Sequence, residues 1–131
     1  MTPKALEWQK KIRKFVNDEL IPWEVHAEMN QGEIPEEIEE KHRKIALSLG
    51  LSGMGISKEN GGLGLGMFEQ MIIWEQLGRV TNALCWCFPE VQDWMVDYFT
   101  DYQKENYSKP LLLGAKRECY AISEKGAGSD V

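Results

Sequence analysis

The chain's 131 residues suffice for one ordinary domain, and a 43% hydrophobic content with five Trp supplies a sizeable core, which excludes a disordered segment. Asp and Glu number 21 against 15 Lys and Arg, a net charge of −6. An acidic balance of that size excludes a phosphate-neutralising surface, so neither nucleic acid nor an anionic membrane is expected as a partner.

The N-terminus carries no charged-then-apolar signal pattern, and Thr2-Pro3 opens a helix instead, a capping hydroxyl followed by a ring that pre-sets φ. Leu6, Trp8, Ile12, Phe15, Val16 and Leu20 recur at helical spacing, with Lys10, Lys11, Arg13, Lys14 and Asn17 on the other side. The spacing predicts an amphipathic helix that Pro22 ends. A second helix is expected from about Pro35 to Leu49, opened by Glu36, Glu37, Glu39 and Glu40 at the positive end of its dipole and closed by Gly50.

Between Leu51 and Gly66 glycines alternate with Leu, Met and Ile, which predicts an ordered loop pinned by its apolar residues. Helical periodicity returns from Met67 to Leu77, with Gly78 as C-cap. Asn82 is expected to cap a further helix carrying Leu84, Trp86, Val91, Trp94, Met95, Tyr98 and Phe99, kinked at Pro89. The uncharged apolar stretch 80–89 within it is far short of a membrane span. A short helix over Tyr102 to Tyr107 and a turn over Pro110 to Leu113 precede Gly114. Glu118 to Ser123 then alternates as a strand does. A lone strand has no hydrogen-bonding partner, so the fold class reads as all-α with one C-terminal strand belonging to a β-domain that would follow. The expected division is a helical domain over 1–117 and, over 118–131, the first strand and turn of a second domain.

Few residues carry chemistry. His26 and His42 stand sixteen apart in sequence with no metal-ligand spacing around them, and both are read as solvent-facing. Cys85, Cys87 and Cys119 are odd in number and lack paired spacing, so they are expected to be reduced, mostly buried thiols. The acids from Glu36 to Glu40 suit a solvated first helical turn. No nucleophile elbow, P-loop or dinucleotide fingerprint fits. The exception is the terminal run Tyr120-Ala121-Ile122-Ser123-Glu124-Lys125-Gly126-Ala127-Gly128-Ser129-Asp130-Val131. Gly126 and Gly128 let successive N–H groups converge on an anion, with Ser129 adding a donor. That suits a phosphate or cofactor grip, and it equally suits a plain connection.

Four segments in order resemble the acyl-CoA dehydrogenase family. Cys119 to Asp130 is similar to its flavin-binding signature, and Gly55-Ile56-Ser57 to Gly61-Gly62-Leu63-Gly64-Leu65 to its glycine loop. Trp74 to Arg79 resembles one of its helix ends, and Gln103 to Gly114 resembles a further segment of the family. The resemblance implies an N-terminal helical domain of a three-part FAD enzyme, a homo-oligomer (dimer or tetramer). Such an enzyme desaturates an acyl-CoA to a trans-2-enoyl-CoA and passes electrons to an electron-transfer flavoprotein. It implies that Tyr120, Ala121, Ile122, Ser123, Gly128 and Ser129 contact FAD, that Ser129 borders the substrate, and that Trp86, Phe88 and Trp94 line the acyl pocket. It assigns no catalytic residue to this chain, the base being expected downstream, and no metal. The fragment alone is expected to be inactive, and the setting to be cytoplasmic, or the mitochondrial matrix in a eukaryote. Ser123 stands where the family usually has Thr, and Lys125 where it has Pro. A stand-alone helical interaction module and a sister flavoenzyme such as an acyl-CoA oxidase are the alternatives.

Overall fold

The computed structural model describes residues 1–119 and 121–126. Helix α1 (Pro3–Phe15) begins as its sequence requires, the Thr2 hydroxyl accepting from the Ala5 N–H at 3.1 Å and Pro3 filling the first turn. Ile12, Phe15 and Ala5 are buried, while Arg13 and Lys14 meet the negative end of the dipole.

Pro22 does not end this helix. The chain widens into a π-helical turn over Val16–Leu20, tightens into a 3-10 turn over Ile21–Trp23 and continues as α2 (Glu24–Met29). Pro22 falls in the first turn of the 3-10 segment, where a missing N–H forfeits no helical bond. The rearrangement keeps Val16 and Leu20 fully buried.

Helix α3 (Glu36–Ser48) carries three acids in its first turn, and Glu40 pairs with Arg43 and with Lys44. The Arg43 hydrogen bond is the main reason that the Glu40 carboxyl lies below its usual range. Gly50 closes the helix at φ 76°, and a Cβ there would meet Leu63 at 2.8 Å.

The glycine-rich segment folds back on itself. Leu63, Gly64 and Leu65 donate their N–H groups to the carbonyls of Gly53, Ile56 and Met54 at 2.8–3.0 Å. Gly62 sits so close to the chain it folds over that a Cβ would come within 2.6 Å of the Gly53 carbonyl and against that of Ile56. Helix α4 (Met67–Leu77) has the expected bounds, and Gly78 caps it at φ −69°, so that cap uses no left-handed residue.

The helix expected from Asn82 onward is the largest departure. Asn82 and Ala83 both hold φ 55°, and regular structure resumes only at α5 (Asp93–Tyr98). Long-range bonds take the donors that a helix would use. The Thr81 N–H and hydroxyl both donate to Glu24 Oε1 at 2.7 and 3.0 Å, and the Val91 N–H donates to the Ser52 carbonyl at 2.9 Å. Pro89 lies in this irregular stretch and is not a helix kink.

The two short pieces expected near the end form one continuous helical run: α6 (Asp101–Gln103), a π-helical turn (Lys104–Ser108) and α7 (Lys109–Leu112). A reciprocal Thr100–Gln103 capping box starts it. No strand forms among the described residues. Positions 118, 119 and 121–123, expected in a strand, are irregular and exposed, because nothing beside them offers a second row of backbone donors and acceptors.

The main core joins α1, α3 and α4 to the loop after α4, through Ile12, Val16, Leu20, Ala46, Leu51, Ile73, Leu77 and Phe88. A smaller cluster of Ile56, Val91 and Leu111 anchors the 101–112 run. The fold is all-α, and no described helix is long and apolar enough to cross a membrane.

Candidate functional site

The described part of the terminal run, Ala121 to Gly126, lies on the surface. Two contacts fix its root. Arg117 pairs with Glu39 of α3 at 2.9 Å, and Glu118 Oε1 accepts the Glu90 N–H at 3.0 Å. Beneath this anchor is a notch of about 210 Å³ lined by Trp86, Cys87, Phe88, Pro89, Arg117 and Glu118. Glu90 continues into a second cleft of about 360 Å³, walled by Met54, Met67, Gln70, Val91 and Trp94. The irregular segment 79–92 therefore serves as the floor joining both hollows.

Ala121, Ile122 and Ser123 are exposed, and the Ser123 hydroxyl has no protein partner among the described residues. Tyr120, Gly128 and Ser129, the other residues of the flavin expectation, lie outside the described residues. The three aromatic residues expected to line an acyl pocket separate. Phe88 is buried against Trp74 at 6.2 Å between ring centroids, whereas Trp86 and Trp94 are exposed, 78% and 53%. Trp86 shares the notch with Phe88, and Trp94 belongs to the second cleft.

Sequence reasoning passed over Glu90. Burial raises its carboxyl above the usual range, and the charges of Glu118 and Asp93 push the same way, against a Gln92 hydrogen bond that lowers it. The signal available was the acid at each end, Glu90 after Pro89 and Glu118 at the head of the expected strand, but only the fold shows that they meet.

Two further expectations are corrected. His42 is not solvent-facing: it is 1% exposed on the inner face of α3, because the helical register that turns Ala46 inward turns His42 inward too. His26 is exposed, set edge-on against Trp23. Cys119 is exposed and not buried, whereas Cys85 and Cys87 are half-buried and free, burial pushing the Cys87 thiol up to about 12. No group of three His, Cys, Asp or Glu among the described residues could hold a metal ion.

Comparison with known proteins agrees with the helical fold. Residues 2–115 match the family description "Acyl-CoA dehydrogenase, N-terminal domain". The chain is 31% identical to the long-chain specific acyl-CoA dehydrogenase, mitochondrial, of Sus scrofa, over 95% of this chain and 28% of that protein. It is 31% identical to the caffeyl-CoA reductase-Etf complex subunit CarC of Acetobacterium woodii over 95% of this chain and 34% of that one. Against the 3-(aryl)acrylate reductase of Clostridium sporogenes identity is 32%, over 93% and 32%. The chain thus spans about a third or less of the length of these relatives. No solved structure matches. With the family description covering most of its length and relatives aligned almost from end to end of it, the chain belongs to the acyl-CoA dehydrogenase family as an N-terminal domain.

Proposed function

We propose that this chain is the N-terminal part of an FAD-dependent acyl-CoA dehydrogenase that converts an acyl-CoA thioester into a trans-2-enoyl-CoA and hands electrons to an electron-transfer flavoprotein. The observation that carries the reading is the exposed run Ala121–Ser123, rooted by Glu118 beside the notch of Trp86 and Phe88. It fits a flat cofactor: its side chains are short around Ile122, and the Ser123 hydroxyl, exposed and without a partner among the described residues, is able to donate to a ring edge. FAD, when bound, supplies the two-electron acceptor. The chain's own share is to orient and to exclude water, with Ile122 as an apolar face, Ser123 as a donor, and Tyr120, Gly128 and Ser129 closing around the cofactor and its pyrophosphate. Residues 118–131 begin a β-domain in this reading, and the proton-abstracting base lies in a C-terminal helical bundle that follows it. Residence in the cytoplasm or the mitochondrial matrix, and assembly into a homo-oligomer, follow from the same reading.

A second reading has the same site working in the direction of reduction, and the names of the Acetobacterium and Clostridium relatives favour it. Purifying the product of the complete reading frame tests both. A yellow protein whose flavin absorbance bleaches with saturated acyl-CoAs supports the dehydrogenase, and bleaching only by an external reductant, with recovery on adding an enoyl thioester, supports the reductase. A colourless protein overturns both.

A further inference from the structure

The glycine-rich fold-back carries an asparagine followed directly by glycine. Asn60 and Gly61 are both exposed, and of the chain's five asparagines Asn60 is the one with glycine after it, the others preceding Asp18, Gln31, Ala83 and Tyr107. That order matters chemically. A glycine has no Cβ to hinder the approach of its backbone nitrogen to the side-chain carbonyl carbon of the residue before it.

Asn60 is the last residue of the 3-10 turn Lys58–Asn60, and Gly61 leaves that turn at φ 88°. Three backbone bonds close it: the Asn60 and Gly62 N–H groups donate to the Ser57 carbonyl at 3.0 Å, and the Gly61 N–H donates to the Lys58 carbonyl at 3.2 Å. The last two form the paired bonding of a helix end that finishes in a left-handed glycine. The side chain is tethered as well, its Nδ2 donating to Ser57 Oγ at 2.9 Å. While the turn is closed, the Gly61 nitrogen is engaged and the Asn60 amide is held. The Gly61 bond is the longest of the three and lies at the surface, so it opens most readily.

We propose that Asn60–Gly61 is a site of spontaneous deamidation, gated by opening of the fold-back. In the opened turn the Gly61 nitrogen gives its proton to solvent and attacks Cγ of Asn60. The N–Cγ bond forms, the Cγ–Nδ2 bond breaks, and ammonia leaves with a proton from water, giving a cyclic imide. A second water opens either imide carbonyl, leaving an aspartate at position 60 or an isoaspartyl link whose backbone runs through the side chain and is one methylene longer. The fold treats these two products differently. Gly62 lies so close to the backbone of Ile56 and Gly53 that a chain lengthened just before it has no room to reclose, whereas the aspartate form recloses with one more charge beside Glu59. The site does not depend on the flavin reading, since it lies in a different segment from Ala121–Ser123.

The test is incubation of the protein made from the complete reading frame, over weeks at mildly alkaline pH and physiological temperature, followed by tryptic mass mapping. Asn60 is the one asparagine of tryptic peptide 59–79. That peptide is expected to gain the mass that replacing NH2 by OH brings, ahead of the peptides holding the other four asparagines, and to accept label from an isoaspartyl methyltransferase. Gly62→Ala, which raises the population of the opened loop, is expected to react about tenfold faster or more. Protein unfolded in guanidinium is expected to react faster than native protein, which keeps the gate testable if Gly62→Ala does not fold. Asn60→Gln, an exposed change, is expected to leave the peptide unmodified. Conversion led by another asparagine, or an unchanged mass gain in Asn60→Gln, which would point to Gln70 or Gln76, would overturn the site. Equal rates in native and unfolded protein would overturn the gate.

Discussion

His42 shows how a single buried side chain makes stability depend on pH. The folded chain resists its protonation, because burial lowers its affinity for a proton, whereas the unfolded chain takes the proton up at about pH 6.5. Below that value the unfolded state binds more protons, so acidification destabilises the fold, and the full stability is present above it. The slope from this residue is at most about 1.4 kcal/mol per pH unit. Urea unfolding between about pH 8 and about pH 5 is expected to show stability falling on the acid side, with a shallower fall in His42→Leu. An identical profile in that variant would assign the acid sensitivity to other groups. The sequence concealed this histidine for a simple reason: polar residues are assigned outward by default, and only its spacing of four from Ala46 marks the inward face.

At the scale of elements, what was legible depended on how local the controlling interactions are. The start of α1 is written in Thr2-Pro3, the end of α3 in Gly50, and the bounds of α4 in its own periodicity, and all three appear as expected. The region after Asn82 is governed from afar, by Glu24 and by the Ser52 carbonyl, and no periodicity within it could announce that. Pro22 misleads for the opposite reason, since changing helix type around it removes the penalty that normally makes proline a terminator. The glycine-rich fold-back offers a sharp test. A methyl on Gly62 would drive into the carbonyl oxygens of Ile56 and Gly53, which are backbone and cannot swing aside. Gly62→Ala should cost on the order of 2–3 kcal/mol. Gly126→Ala, where nothing among the described residues lies within 4 Å, should change stability by less than about 0.5 kcal/mol. Thermal unfolding of the pair checks this, and equal midpoints would show that the loop relaxes freely.

Across the whole molecule, burial is unevenly divided. The main cluster ties α1 along α4, with the Arg13 Nε–H donating at 2.9 Å to the Oε1 of the fully buried Gln76, whereas the 101–112 run rests chiefly on Ile56, Val91 and Leu111. Local opening follows such differences. Native-state hydrogen exchange should therefore find the amides of α6 and α7 opening at lower free energy than those of α1 and α4. Uniform protection across all four would show that the two clusters unfold as one. The candidate site follows the same division. The family motifs and the exposed Ser123 were legible as residues, but the pairing of Glu118 with Glu90 depends on the whole chain closing on itself.

Among the described residues, the irregular segment 79–92 is tied to four distant parts: Arg79 to Asn17, Thr81 to Glu24, Val91 to Ser52, and Glu90 to Glu118. A strap fastened in this way behaves as a gauge. Any tilt of the chain after Arg117 pulls on the Glu90 amide, and through the shared segment on Trp86 and Phe88. The amide signal of Glu90 thus offers a reporter, inside the helical domain, of what happens at the run that carries Ser123.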